Sequence, residues 1–285
     1  MRRINLTPAE GECYKAAQFK PYPDGDLRVE YAELSLVGGR EDNQDRCAVA
    51  VSEHAALLFV VDGMGGHAEG ALAAETATRV LVEAFWHTPH PLFDPIGFLH
   101  LGLGRAHEAV VKLGSALPLE QRPRATCAVC IVQGDSAYFA HIGDSRIYLI
   151  RAGKVAERTR DHSHVEFLLR EGLIAASQAH AHPLRNFVEC CIGGEQLLPE
   201  MTLTGRRQLH ADDVLLVCSD GLWGGLDDET LAAAWIGDRA NPPAAGAATG
   251  GSMRATLLQL AQRAIIANGN GSDNTTAVAL RWQGP

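Results

Sequence analysis

Short apolar runs, bounded by glycine and polar turn residues, recur along the chain and predict buried strands. Gly134-Asp135, Gly143-Asp144 and Ala152-Gly153 are turn signals that leave only short connections between four of these runs. The predicted strands lie near 29–37, 46–51, 56–61, 125–133, 136–142, 145–151, 154–157, 201–208, 213–219 and 275–282.

A different period, with small and apolar residues three and four positions apart, predicts helices between the groups of strands. In the first helix, over 68–86, these positions are Ala73, Ala77, Val80, Leu81 and Ala84. Further helices are predicted near 94–114, 164–171, 228–236 and 254–267. Strands, then two helices, then strands again is an order that favours antiparallel sheets covered by helices over alternating βαβ units. The predicted fold class is therefore α+β.

The 285 residues suffice for one large domain or two small ones. We interpret 29–285 as a single domain and 1–28 as an N-terminal extension that matches no recognisable pattern. Residues 237–252 are rich in proline, glycine and alanine, and this composition predicts a mobile loop between two helices.

The formal net charge of -9 argues against non-specific binding to nucleic acid and against attraction to anionic membranes. No apolar run approaches the roughly 18 residues that a membrane-spanning helix needs. The first residues contain no apolar segment of the signal-peptide type. We therefore expect a cytoplasmic protein with neither a membrane nor a nucleic-acid partner.

Cysteine and histidine are frequent enough to raise the question of a metal or redox site. Cys127 and Cys130 lie in a predicted strand, where residues three apart point to opposite faces, so core packing is favoured over a C-x-x-C site. The vicinal pair Cys190-Cys191 is likewise interpreted as structural. His162/His164 and His180/His182 fall in a polar stretch without a metal-ligand spacing, which favours a surface role.

Acidic residues stand at the ends of several predicted strands. Two apolar runs end in Asp62-Gly63 and Asp220-Gly221, and two further motifs contain Asp45 and Asp273. A carboxylate at the end of a buried strand is rigidly held near the core, and several that converge could not all stay ionised without a cation between them. Hard divalent cations prefer oxygen ligands. The pattern therefore predicts a carboxylate-built Mg²⁺ or Mn²⁺ site.

The segment Gly63-Met64-Gly65-Gly66-His67-Ala68 also matches the G-x-G-x-x-A fingerprint of dinucleotide-binding proteins. Asp62 directly before it would repel a pyrophosphate, and a helical region stands where the second strand with its acidic residue would be needed. A tight turn without a ligand is a further alternative. The metal-site interpretation is preferred because Asp62 recurs within a larger pattern.

That pattern consists of six motifs, each at a predicted strand end or turn. In order they are Arg40-x-x-Asn43-Gln44-Asp45, Asp62-Gly63-Met64-Gly65-Gly66-His67, Gly143-Asp144-Ser145-Arg146, Asp161-His162-Ser163, Ser219-Asp220-Gly221-Leu222 and Ser272-Asp273-Asn274. The ordered set resembles the bacterial branch of the metal-dependent serine/threonine protein phosphatases, the PPM or type 2C family. The resemblance covers roughly 30–282 and implies a β-sandwich of two antiparallel sheets, flanked by helices on both faces.

The resemblance also implies roles for individual residues and two Mn²⁺ or Mg²⁺ ions, with a possible weaker third. Asp62, Asp220 and Asp273 would bind one ion, and Asp62 with the Gly63 carbonyl would bind the second. Asp45 would hold water molecules bound to the metals, and Arg40 would clamp the phosphate through its planar guanidinium. Asp144 would form the third site together with Asp220. Residues 160–195 would form a variable flap beside the active site.

The implied activity is hydrolysis of phosphoserine and phosphothreonine in proteins by a metal-activated water, opposing a bacterial Ser/Thr kinase. Ser219 and Ser272 are then structural residues, because no protein nucleophile is needed. Met64 stands where eukaryotic members carry a histidine proposed as general acid. The expected partners are phosphorylated proteins, a Ser/Thr kinase or its targets, and the protein is expected to be a monomer. The alternative is a non-catalytic regulatory module that binds a signalling partner.

Overall fold

The computed structural model describes residues 27–64, 68–179, 182–236 and 250–284, which form two antiparallel sheets and seven α-helices. One sheet contains, in order, β1 (Val29–Leu36), β11 (Thr275–Trp282), β10 (Val214–Cys218), β6 (Arg146–Arg151) and β7 (Lys154–Arg158). The other contains β2 (Arg46–Val51), β3 (Ala55–Met64), β4 (Arg124–Gln133), β5 (Ser136–Ile142) and β9 (Thr202–Gln208), with β8 (Ile192–Gly193) beside β4. The helices are α1 (Ala68–His87), α2 (Pro95–Leu113), α3 (His164–Arg170), α4 (Ala176–Ala179), α5 (Asp220–Trp223), α6 (Asp228–Ala233) and α7 (Gly250–Asn268).

Three apolar layers hold the sheets and helices together. The middle layer lies between the sheets, where Phe139 and Leu215 are buried. The outer layers join α1 and α2 to the β2–β9 sheet and α6 and α7 to the β1–β7 sheet. β3 and β4 read as continuous apolar runs because both of their faces are covered. The predicted α+β sandwich with helices on both faces is confirmed.

Cys127 and Cys130 show the two faces of β4 directly. Cys127 packs in the outer layer beside α1 and α2, whereas Cys130 packs between the sheets. Both thiols are fully buried, so the prediction of core packing is confirmed. Cys190 and Cys191 are half-buried and form no disulfide.

Several short elements differ from the sequence-based expectation. β8, α4 and α5 have two to four residues each, too few to show a hydrophobic period. α7 begins at Gly250, inside the stretch 237–252 predicted as a loop, and the rest of that stretch lies outside the described residues. Residues 1–26 of the predicted N-terminal extension also lie outside them, and Leu27 is buried between the sheets. No helix in the described part of the chain is long and apolar enough to cross a membrane.

Strand register places the acidic motifs at one end of the sandwich. Arg46 pairs with Val61, so Asp45 and Asp62 are neighbours at the same end of β2 and β3. Asp62 pairs with Thr126 of β4, and Cys127 pairs with Ile142, which precedes the turn that contains Asp144. In the other sheet Cys218 pairs with both Arg146 and Ala277, which brings Asp220 to the same end.

Candidate metal centre

Asp62 lies at the centre of the acidic cluster. Burial raises its pKa well above the usual value for aspartate, and the charges of Asp45, Asp220, Asp144 and Asp273 raise it further. Like charges raise one another's pKa in this way only where they lie near each other in a poorly solvated site. The structure thus brings together all five aspartates that the sequence singles out. Asp62 belongs to β3 itself, which extends to Met64, so it does not lie in a turn after the strand.

Asp45 is fixed by hydroxyl groups from the opposite sheet. Its Oδ2 accepts a hydrogen bond of 2.8 Å from Ser219 Oγ, and Ser219 Oγ in turn accepts one from the Thr276 N–H at 3.1 Å. Ser219 is fully buried in this role, as expected for a structural serine. Burial raises the pKa of Asp45 to about 7, although its hydrogen bonds with Ser219 and Thr276 lower it.

Asp220 begins α5, directly after β10. Burial, together with the charge of Asp273, raises the pKa of its carboxyl to about 7, although the charge of Arg40 lowers it. Its Oδ1 atom is buried without a hydrogen-bond partner among the described residues. A buried carboxylate oxygen without a partner is costly unless a cation or a proton compensates it. This atom is therefore free to serve as a metal ligand.

Gly63 lies where β3 passes the first turn of α1. A Cβ atom added to it would lie 2.2 Å from the carbonyl oxygen of Gly70 and 2.7 Å from that of Gln44. Both clashes involve backbone atoms, so glycine is required for the close approach of these backbone segments. The backbone of Gly63 is in this way held beside Asp62, where the family resemblance implies a carbonyl ligand.

Arg40 stands at the solvent-exposed rim of the cluster. Its Nη2 donates a 2.7 Å hydrogen bond to Asp273 Oδ2, and 56% of its side chain is exposed. Asn274 shapes the loop that carries Arg40, because its amide group donates to the carbonyls of Val37 and Asp42 and accepts from the Gln44 N–H. Arg40 can therefore meet an incoming anion at the mouth of the site.

Asp144 lies in the turn between β5 and β6 and is almost fully buried. Burial raises its pKa well above the usual value for aspartate, and the charges of Asp220 and Asp161 raise it further. Gly143 before it has φ of +103°, and a Cβ atom there would lie 2.5 Å from the Thr126 side chain. The Trp223 indole N–H donates to the Asp144 carbonyl at 3.0 Å.

Two residues beside this turn, Arg146 and His162, have contacts that the sequence analysis did not predict. Arg146 donates two hydrogen bonds to Asp161, at 2.8 and 2.7 Å, and lies 3.5 Å above the Trp223 ring. His162 was predicted to have a surface role, and this is wrong. Its ring is half-buried, stacks on His141 at a centroid distance of 4.5 Å, and bonds to Gly143 and Thr202. Arg146 belongs to the motif Gly143-Asp144-Ser145-Arg146 and His162 to the motif Asp161-His162-Ser163, and these two motifs were the available signal.

The donor set fits hard divalent cations, because it consists of carboxylates and backbone carbonyls and has one carboxylate oxygen left unpaired. Within the described residues, no group of three or more His, Cys, Asp and Glu side chains is already closed around a metal position. Asp273 is turned towards Arg40, so ion binding would have to redirect its carboxylate.

The sequence profile described as Protein phosphatase 2C matches residues 38–260, a range that includes six of the seven predicted site residues. The chain belongs to the protein phosphatase 2C family. The serine/threonine protein phosphatase PstP of Mycobacterium tuberculosis is 33% identical over 208 residues, which are 72% of this chain and 38% of that relative. The chain thus matches well under two thirds of that relative's length.

Solved structures of this family share the fold. The serine/threonine phosphatase of S. agalactiae aligns with a TM-score of 0.76 at 26% identity, over 89% of this chain and 99% of that one. The catalytic domain of PstP in complex with two manganese ions aligns with a TM-score of 0.69 at 28% identity, over 90% and 98% of the chains. The family resemblance inferred from the motifs is confirmed.

The crowded carboxyl groups make the folding stability of the metal-free phosphatase 2C domain depend on pH. The pKa values of Asp45 and Asp220 rise from 3.8 to about 7 on folding, so the folded state binds more protons than the unfolded state between these values. The stability that these two carboxyl groups contribute is therefore lost as the pH rises from about 4 to about 7. With EDTA present, we expect the midpoint temperature of thermal unfolding to decrease as the pH is raised from 5 to 7.5.

The midpoint temperatures of Asp220→Asn over the same pH range provide the control. This variant lacks one of the titrating groups, so its midpoint should decrease less steeply with pH. Addition of Mn²⁺ at pH 7.5 should restore the midpoint of the natural protein. A metal-free midpoint that rises over this range, with the same slope in both proteins, would contradict the electrostatic description of the cluster.

Proposed function

We propose that the chain is a protein serine/threonine phosphatase that hydrolyses phosphoserine and phosphothreonine with the help of bound Mn²⁺ or Mg²⁺. The observation that supports this best is the gathering of five aspartates at one end of the sandwich, with Arg40 at their rim. An inactive regulatory module of the same fold would not need to retain a costly cluster of buried carboxylates, so the catalytic function is preferred.

Each residue in the cluster has a proposed task. Asp62, Asp220 and Asp273 would hold one ion, Asp62 and the Gly63 carbonyl the second, and Asp144 with Asp220 a weaker third. These ions would activate a water molecule as the nucleophile and neutralise charge on the phosphoryl group. Asp45 would accept hydrogen bonds from water beside the ions, held in place by Ser219. Arg40 would bind the phosphoryl oxygens and so align the phosphorus for attack.

The test is hydrolysis of a phosphothreonine peptide and of p-nitrophenyl phosphate, with and without Mn²⁺. We expect activity that disappears with EDTA and returns with Mn²⁺ or Mg²⁺, because the carboxylates alone cannot stabilise the developing negative charge. Equal activity after exhaustive chelation would contradict the proposal. Tight Mn²⁺ binding without hydrolysis of either substrate would support the regulatory module instead.

Arg40→Ala is expected to lower kcat/KM on the phosphopeptide by roughly 10- to 100-fold, because a charge-assisted hydrogen bond contributes about 1.5–3 kcal/mol. The loss should appear mainly in KM. Arg40→Lys keeps the charge but not the planar fork of the guanidinium, so its kcat/KM should lie between those of the natural protein and Arg40→Ala. Calorimetry should show an unchanged Mn²⁺ affinity in both variants. A large loss of Mn²⁺ affinity would instead make Arg40 a residue that orders Asp273.

The cellular setting completes the proposal. The enzyme would act as a monomer in the cytoplasm, in signal transduction, on proteins phosphorylated by a Ser/Thr kinase. Its relative PstP of Mycobacterium tuberculosis is a serine/threonine protein phosphatase, which supports phosphoproteins as substrates. Phosphoproteome comparison of cells with and without the gene would test this, with accumulated phosphoserine and phosphothreonine as the expected result.

A further inference from the structure

An apolar groove lies between the end of α1 and the start of α2, in the helical layer that covers the β2–β9 sheet. It has a volume of about 320 Å³, and its lining includes Ala84, Leu92, Phe93, Phe98 and Leu101. Phe93 is fully exposed, and 58% of Leu101 is exposed. Exposed apolar side chains that are grouped around such a groove mark a binding surface, whereas scattered ones do not.

Phe93 is held in this exposed position by hydrogen bonds on both of its sides. The Leu92 N–H donates to Gln133 Oε1 at 2.6 Å, and Gln133 Nε2 donates to the Leu92 carbonyl at 3.0 Å. On the other side, Asp94 caps α2 by accepting from the Gly97 N–H at 2.9 Å. The backbone around Phe93 is therefore fixed, and the exposed ring is presented by a defined loop.

The chain enters β1 at the same end of the sandwich as the groove. Trp282, which pairs with Val29 of β1, donates its indole N–H to the Gly134 carbonyl at 2.9 Å. Gly134 directly follows Gln133, the residue that holds the loop of the groove. Leu27 is buried between the sheets at this end, away from the acidic cluster. Whatever precedes Leu27 in the chain therefore starts near the groove.

Residues 1–26 precede this point and lie outside the described residues. Their sequence contains large apolar and aromatic residues, namely Ile4, Leu6, Tyr14, Phe19 and Tyr22. An extended chain spans at most about 3.5 Å per residue, so the roughly eight residues from Phe19 to Leu27 reach up to about 28 Å. Packed layers lie about 10 Å apart, so this length suffices to pass from the space between the sheets to the helical layer.

The charges at the groove also match this segment. Arg105 lines the groove, is exposed, and has no hydrogen-bond or ion-pair partner among the described residues. The segment contains Glu10 and Glu12, four and two residues before Tyr14. An aromatic side chain in the groove and a carboxylate beside Arg105 are therefore both available from one short stretch of sequence.

We propose that the groove between α1 and α2 is a docking site for residues 1–26 of the same molecule, which cover Phe93 and Leu101. The covalent connection favours this occupant over a second copy, because a short tether gives an effective concentration in the millimolar range. The inference does not depend on the proposed phosphatase activity, since the groove and the acidic cluster lie at opposite ends of the sandwich.

Photochemical cross-linking of the full chain identifies the occupant directly. Phe93→p-benzoylphenylalanine places a photoreactive benzophenone at the rim of the groove, and irradiation joins it to neighbouring C–H groups. Mass spectrometry of the digested product should find cross-links to residues 1–26, in a product of monomer mass. Ile266→p-benzoylphenylalanine is the matched control, because Ile266 is also exposed but lies on α7, which packs against the other sheet. It should give no such cross-link.

Limited proteolysis tests whether the groove holds the segment. Leu101→Glu places a charge in the groove, and the rate of tryptic cleavage after Lys15 should rise roughly tenfold, because cleavage follows the population of the released segment. Ile266→Glu adds the same charge at an exposed apolar position of α7 and should leave the rate unchanged. Circular dichroism of both variants checks that the domain remains folded.

Several results of the cross-linking experiment would overturn the inference. A product of twice the monomer mass would make the groove an interface between two copies of the chain. Cross-links from the Phe93 position only to residues outside 1–26, or no cross-link at all, would leave the segment without a role there. Equal cross-linking to residues 1–26 from the Ile266 position would show that the segment contacts the surface without preference for the groove.

An unchanged cleavage rate after Lys15 in a folded Leu101→Glu variant would likewise overturn the inference. If Leu101→Glu does not fold, Phe93→Ser takes its place, because Phe93 is fully exposed and its loss leaves the core intact. This variant removes an apolar contact without adding a charge, so a smaller rise in the rate is expected. A rate that is unchanged in Phe93→Ser would then overturn the inference.

Discussion

Asp220→Asn is expected to lower kcat on a phosphopeptide by roughly 1000-fold, about 4 kcal/mol in the activation barrier, while the domain stays folded. Asp220 would contribute to more than one cation, and its Oδ1 is buried without a partner among the described residues. The amide has nearly the same shape but carries no charge, so packing around it is kept and metal affinity is lost. Calorimetry with Mn²⁺ should show weaker binding.

Asp135→Asn is the matched control, since Asp135 lies in the turn at the opposite end of β4 and β5 and contacts Arg206. It should retain nearly full activity. The metal-free form of Asp220→Asn should melt at a higher temperature than the natural protein above pH 7, because one buried charge is gone. A variant that keeps more than about a tenth of the activity, a loss of less than roughly 1.4 kcal/mol, would remove Asp220 from the essential ligands.

The fold was predictable because its strands are long and their burial is simple. β3 and β4 are covered on both faces and therefore appear in the sequence as continuous apolar runs. The helices α1 and α2 show a clear period because each packs one face against a sheet. Elements of two to four residues, such as β8 and α5, are set by tertiary contacts that leave no local signal.

The site was predictable for a related reason. A strand end is a defined position in a sandwich, so aspartates at neighbouring strand ends meet. Asp45 directly precedes β2, Asp62 lies near the end of β3, and Asp220 follows β10. The order of the six motifs added what no single motif could, namely the assignment of these aspartates to one family.

His162 illustrates what the sequence could not show. It lies in a polar stretch with other histidines, and apart from its place in the motif Asp161-His162-Ser163 nothing local distinguishes it from an exposed residue. Its partners are Gly143 and Thr202, 19 and 40 positions away, and they become neighbours only when the two ends of the flap pair. Burial of a polar side chain through distant contacts of this kind is a property of the tertiary structure.

Gly63→Ala is expected to destabilise the domain by about 3 kcal/mol or more, because the added methyl group overlaps backbone atoms that cannot rotate away. The clash with the Gly70 carbonyl, at 2.2 Å, would push the end of β3 away from the first turn of α1. Asp62 belongs to the same strand end, so Mn²⁺ affinity should fall as well. Chemical denaturation and calorimetry would measure the two effects.

Gly104→Ala is the matched control, because Gly104 lies within α2 and an added Cβ atom there meets no atom within 4 Å. Alanine in a helix interior should stabilise the domain by about 1 kcal/mol. The pair tests why glycine occurs in the segment that resembles a dinucleotide fingerprint. If Gly63→Ala folds with natural stability and binds Mn²⁺ normally, close packing of β3 against α1 does not explain this glycine. A loss of both properties would show that it serves the crossing of strand and helix beside the metal ligands.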